Sequence, residues 1–405
     1  MKYSSLILVF LSKLFGETNA EVCLPKCQPY VSTTRSFSKC TFTFEVDLHA
    51  GELGYYKVKE CPDMGTNPTL GIQKGVSYIF DQADISNYMH PLGLAYYPDG
   101  AHREVDELEP GISPPDSLSD CASSNSCPAP MYIREGIYLG KYSNDETISE
   151  VTGDEDFGLD VYEPEFFYPI TDWAGAGRYS ISLKFDVDDF EDDIFYFCHI
   201  HAGMNGRIKF IDENNNVLKS EDYPDQPYTY DVISSFDEEC GTYNLSPFQL
   251  PNEQCPSTFV CDAPEGSLGS YSKCYDAMNC AMMQGMTTNV DDEISLFMHQ
   301  MIPHHQNAVN MAKALLKTRK LKCDDVTEET DDCALEVILR EIINGQNHQI
   351  QTMQAILEAG DYKSENDCVV EMTSTTVKGI TSGAKRTSFI SAILTFVLGL
   401  MPFLM

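Results

Sequence analysis

Apolar side chains recur at every second position through much of the first half of the chain. Thr41-Phe42-Thr43-Phe44-Glu45-Val46 and Tyr179-Ser180-Ile181-Ser182-Leu183-Lys184-Phe185 alternate in this way, which is the pattern of strands with one face buried. Val76 to Phe80, Ile194 to Phe197 and Gly206 to Ile211 read as further strands, the last two joined by a short loop. Residues 99–170 are instead rich in Asp, Glu, Pro, Ser and Gly, and read as a long insertion or a set of loops. From Tyr271 the period becomes helical. Asp291 to Arg319 and Cys333 to Ala359 each predict one long helix, the second stopped by Gly360. Pro303 lies inside the first and predicts a kink near the carbonyl of His299, whose hydrogen-bond donor it removes.

These patterns predict a multidomain β plus α chain. Its parts are a leader at 1–20, a β-sandwich with a long insertion at 21–220 and a disulfide-rich linker at 221–270. A small helical bundle at 271–362, a polar stalk at 363–388 and an apolar tail at 389–405 complete it.

The two ends change the picture. Met1-Lys2, the apolar run Leu6 to Leu11 and Thr18-Asn19-Ala20 have the order of a secretory signal peptide. Phe389 to Met405 is apolar to the terminus and follows Lys385-Arg386 and the small residues Ser382-Gly383-Ala384. That arrangement fits a glycolipid-anchor signal. Together the ends place the expected protein in the secreted pathway, on the extracellular face of the cell membrane and held there by a C-terminal anchor. Fifteen cysteines imply a disulfide framework with one thiol left over, with Cys121/Cys127 and Cys323/Cys333 spaced for local bridges. Asn244-Leu245-Ser246 is a glycosylation sequon followed by Pro247. The formal net charge is −35, from 62 acidic against 27 basic residues, so nucleic acid is excluded as a partner by repulsion.

The most demanding chemistry lies in Phe197-Cys198-His199-Ile200-His201-Ala202-Gly203-Met204, a Cys-x-x-His-x-x-Met spacing between two strands. Two His, one Cys and a weak axial Met form the ligand set of blue copper. A second His stands in Asn87-Tyr88-Met89-His90-Pro91, after the strand at Val76. This region resembles a cupredoxin. The resemblance implies His90, Cys198 and His201 as equatorial copper ligands and Met204 as the axial one, with His199 open as a replacement for His201. The contrary reading, a disulfide-bonded Cys198 beside surface histidines, conflicts with the odd cysteine count.

The first long helix carries Met298-His299-Gln300-Met301-Ile302-Pro303-His304-His305-Gln306 and then Met311-Ala312. At helical spacing Met298, Met301 and His305 share a stripe flanked by His304 and Met311; Gln346, Gln349 and Met353 share a face of the last helix. Thioethers with imidazoles suit Cu(I), whereas a plain Met/Ala stripe would be core. The run Met301 to Gln306 with Ala308, Met311 and Ala312, and the late Gln346, Gln349, Ile350 and Met353, resemble the domain of unknown function 305 family. The resemblance implies a ferritin-like bundle that binds copper, as in bacterial periplasmic members. Gln349 stands where that family has Glu, which argues against hard-metal chemistry.

Copper is thus the expected cofactor, and a membrane metal transporter or reductase the expected partner. Copper handling leads. An electron carrier serving a surface redox partner and a non-enzymatic adhesion protein with a degenerate copper fold stay open as alternatives. Nine histidines split between two domains are too few for an oxygen-reducing cluster, so metal binding or electron transfer is favoured over stand-alone catalysis.

Overall fold

Phe42, Phe44 and Val46 are buried on one side of their strand while the Thr and Glu between them are half-buried, because successive side chains of a strand point to opposite faces. The computed structural model describes residues 22–31, 36–103, 105–116, 127–142, 151–155, 157–247, 255, 258–260, 265–290, 292–360 and 362. The expected leader at 1–20, the stalk and tail at 363–405, and Cys121 lie outside the described residues.

In chain order the strands are β1 (Lys26–Val31), β2 (Ser36–Asp47), β3 (Tyr55–Val58), β4 (Leu70–Ile72), β5 (Ser77–Asp81), β6 (Leu92–Ala95), β7 (Met131–Arg134), β8 (Ile137–Gly140) and β9 (Val151–Glu155). Two short helices, α1 (Leu159–Glu165) and α2 (Ile170–Gly175), precede β10 (Tyr179–Lys184), β11 (Ile194–Cys198) and β12 (Asn205–Phe210). The larger sheet runs β1-β2-β5-β10-β7-β8-β9, with β3 added beside β2; the smaller runs β4-β12-β11-β6. Their inner faces meet through aromatic rings. Phe44 of the larger sheet lies 5.3 Å from Tyr196 of the smaller, edge to face, and Tyr56 lies 5.9 Å from the same ring. The interior is therefore a two-sheet core of Phe and Tyr, with large buried area per side chain.

The acidic segment expected as an insertion or loops differs from that expectation. It carries β7, β8 and β9, and β7 pairs directly with β10 inside the larger sheet. Four-residue strands hold only two residues per face, too few to register as alternation in the sequence.

The second half is helical: α3 (Ser235–Cys240), α4 (Ser267–Gly285), α5 (Glu293–Lys317) and α6 (Asp331–Ala359). Asp292 caps α5 by accepting from the amides of Ile294 and Ser295, and Thr330 caps α6 through the amide of Cys333. Helix α5 continues through Pro303, which is buried. Disulfides Cys240–Cys274 and Cys255–Cys280 staple the segment before α4 to that helix, and Cys323–Cys333 closes the loop before α6, as its spacing predicts. Cys23–Cys61 and Cys27–Cys40 close the first strands. Among the described residues Cys198 is the free cysteine, and it is buried. No described helix is long and apolar enough to cross a membrane.

Candidate metal centre

Three ligating side chains converge where β6 and β11 run antiparallel. Cys198, the last residue of β11, pairs in register with Leu92, the first of β6, so His90 arrives beside it two residues upstream. The approach to His90 is pinned from several sides. Asn87 donates its side-chain amide to the carbonyl of Phe44, while Tyr56 and Gln82 both donate to the carbonyl of His90. Gln82 also accepts from the amide of Leu92 and the hydroxyl of Tyr162. Met89 takes a left-handed conformation, φ 60°, a sparsely populated state for a side chain of that size.

His201 arrives on the turn between β11 and β12. The amide of Cys198 donates to the carbonyl of Met204 and that of His199 to the carbonyl of Pro91, which closes the turn onto β6. Gly203 sits in it at φ 82° and donates its amide to Asp99. His102 holds the Cys198 carbonyl from outside at 2.8 Å.

Cys198 Sγ lies 3.7 Å from His90 Nδ1 and 3.6 Å from His201 Nδ1, and all three residues are buried. Metal bonds of roughly 2.3 Å to sulfur and about 2.0 Å to imidazole, meeting at a trigonal angle, would separate sulfur from nitrogen by roughly 3.7 Å. The donor spacing therefore suits one small ion. Among the described residues this is the one group of three or more His, Cys, Asp or Glu whose ligating atoms lie within 4.8 Å of one another.

Electrostatics prepares the donors unequally. Burial holds the His90 pKa down to about 3, against the nearby Asn344 side chain, which raises it. Burial and the neighbouring His90 ring hold His201 well below the usual range. Both imidazoles are thus neutral at physiological pH, with a lone pair to offer. Burial pushes the Cys198 thiol up to about 12, so it keeps its proton until something replaces it.

The other expected residues fall in different places. Met204 is fully buried in the same core. His199 points away from the trio, its ring between Glu107 at 3.7 Å and Glu163 at 3.9 Å. In the helical half Met298 is buried, Met301, His305 and Met353 are half-buried and His304 is exposed. The His304 and His305 rings lie 5.8 Å apart. Met311 packs instead on the small core of Cys240, Leu245, Cys274, Met278 and Ala314. His299 Nε2 and His305 Nδ1 are buried without a hydrogen-bond partner.

Sequence reasoning missed the residues that α6 brings to the trio. His201 Nε2 donates to the main-chain carbonyl of Asn344 at 3.3 Å, Asn344 Nδ2 donates to the carbonyl of Tyr88, and Gln351 both donates to and accepts from the backbone of Ala202. The available signal was Asn344 and Asn347, polar residues on the same buried face as Leu339, Ile343 and Ile350.

No curated protein and no solved structure matches the chain. A family model described as Domain of unknown function (DUF305) matches residues 262–357 and, again, 296–388. The helical half, α4 to α6, is thus the part of this chain that is similar to DUF305.

Proposed function

We propose that this protein is an extracellular, membrane-tethered copper-binding protein that sequesters, takes up or transfers the metal. The observation that carries the reading is the buried convergence of one thiol and two neutral imidazoles at 3.6 and 3.7 Å. Thiolate with imidazole selects soft or borderline ions, and a trigonal His₂Cys site is the arrangement copper takes with a weak axial sulfur. Met204, buried on the same turn, would be the thioether available to such an ion. Bound copper would supply a one-electron couple or a transferable Cu(I) cargo. The protein's own residues exclude water, keep both imidazoles neutral and fix their directions. The Met/His stripe of α5, with Met298, Met301, His304, His305 and Met311, and Met353 of α6, is proposed as a separate Cu(I) site. The disulfides are in keeping with an oxidising compartment.

The outer edge of His201 lies under Asn344. An external redox partner would therefore meet α6 and not the imidazole, which favours holding copper over serving as a general electron carrier.

The test is to load the purified protein with Cu(II), dialyse, and record metal content and visible absorption. An intense thiolate-to-copper band is expected, and Cys198→Ser should abolish it while copper bound by the helical half remains. A colourless protein that retains no copper would sink the reading.

A further inference from the structure

Helix α6 meets the candidate centre at several points. The Asn344 carbonyl receives His201 Nε2–H. Because a carbonyl can only accept, that bond places the His201 proton on Nε2 and leaves Nδ1 as the lone pair facing Cys198. The Asn344 side chain lies toward His90; its Oδ1 and His90 Nε2 are both buried, and neither has another hydrogen-bond partner among the described residues. Its Nδ2 binds the carbonyl of Tyr88, two residues before His90, at 2.8 Å. About two helical turns further on, Gln351 grips Ala202 through both its amide atoms at 3.1 and 3.2 Å. Between them, the His348 ring lies 6.5 Å from that of His201, edge to face.

The spacing explains how one helix does this. Asn344, His348 and Gln351 stand at i, i+4 and i+7, a single face, and that face lies across both the His90 approach and the His201 turn. The strands and their turns deliver the three donors, but among the described residues no group of the β half hydrogen-bonds the outer nitrogens of the two imidazoles.

Resting on the copper reading above, we propose that helix α6 completes the β-sandwich metal centre from outside. In this proposal Asn344 is the positioning residue that holds both imidazoles with Nδ1 toward Cys198, and Gln351 keeps the ligand turn in place. The helical half is then a structural part of the β-sandwich centre as well as a neighbour with a site of its own. Groups that orient a ligating imidazole through its second nitrogen typically affect metal affinity about 10- to 100-fold when removed.

The test uses the full chain carrying Asn344→Ala, Asn344→Asp and Gln351→Ala, each checked for fold by circular dichroism and thermal melting. In the metal-free protein, nitrogen NMR of the imidazoles should show His90 and His201 as single Nε2–H tautomers in the unaltered chain. Asn344→Ala should give a tautomer mixture at His90, and Asn344→Asp, which keeps the acceptor, should restore the single form. Titrated with Cu(II) alone, Asn344→Ala and Gln351→Ala should each bind about 10- to 100-fold more weakly at the thiolate site, with a shifted thiolate band. Should Asn344→Ala not fold, Asn344→Asp and Gln351→Ala carry the comparison. Unchanged tautomers, affinity and band position in the folded variants would overturn this inference and leave the copper reading standing. An unaltered chain with no thiolate band would overturn the copper reading instead, while the tautomer measurement still decides the role of Asn344.

Discussion

In the metal-free protein Cys198 is a thiol, because burial pushes its pKa up to about 12. A cation that takes its sulfur must displace that proton. His90, held down to about 3 by burial, and His201, lower than usual for the same reason, are neutral above pH 5 and need lose no proton for Nδ1 to bind. Copper binding at the trio should therefore release one proton, and the apparent affinity should rise about tenfold per pH unit between pH 5 and 8. Competition against a chelator of known pH dependence would measure this. A flat profile would mean that the thiol is not a ligand. Residues of this kind were legible in the sequence because thiol, imidazole and thioether rarely cluster without a chemical reason. The direction of His199 was not taken from the sequence, where it stood open as a ligand; it follows Cys198 at the end of a strand, where successive residues face opposite ways, and its ring lies between Glu107 and Glu163. Asn344 was not. Asparagine on a helix is ordinary, and only packing far along the chain brings it to His201.

Among the elements, α5 shows that composition does not by itself give contact. Its Met and His residues share a stripe at helical spacing but differ in surroundings: Met298 is buried, His304 is exposed and Met311 packs on the core that holds the Cys240–Cys274 bridge. Pro303 is a packing residue as well. A Cβ added at Gly285, at the end of α4, would lie 2.8 Å from Pro303 Cβ, and a proline ring cannot rotate out of the way. Gly285→Ala should therefore destabilise the α4–α5 contact by about 1–2 kcal/mol, since overpacking outweighs the helix-propensity gain of about 1 kcal/mol. Urea unfolding would show it as a lower midpoint, and a raised midpoint would mean that α4 ends freely. The long helices were readable because many turns repeat one period. The short strands β7 and β8 were not, because their partners across the sheet, more than their own few residues, decide that they are strands.

At the scale of the whole molecule, the order of a β half followed by a helical half could be read from the change of period, but the contact between them could not. Lys313 is one of the residues that make that contact. It lies on the buried side of α5, is fully buried, and donates its ammonium to the carbonyls of Gly51, at 2.9 Å, and Glu52 in the turn between β2 and β3. Lysine inside a helical pattern reads as a solvated position, so nothing local marks it as a peg. Lys313→Met should cost about 3 kcal/mol at pH 7, because two buried carbonyls lose their donor and Glu52 its nearby cation. The pH dependence provides a sharper check. Burial lowers the Lys313 pKa to about 8 in the folded protein, against about 10.4 in an unfolded chain. Between those values the unfolded state binds more protons, so stability contributed by this residue rises with pH. Below pH 8 both states carry the proton and the contribution is level. The gap in stability between the unaltered protein and Lys313→Met should thus stay constant from pH 6 to 8 and widen from pH 8 to 10. If the gap narrows over that window, the acidic neighbours Glu52, Asp47, Asp231 and Asp237 outweigh burial, and Lys313 holds the two halves together as the cation of a buried ion cluster.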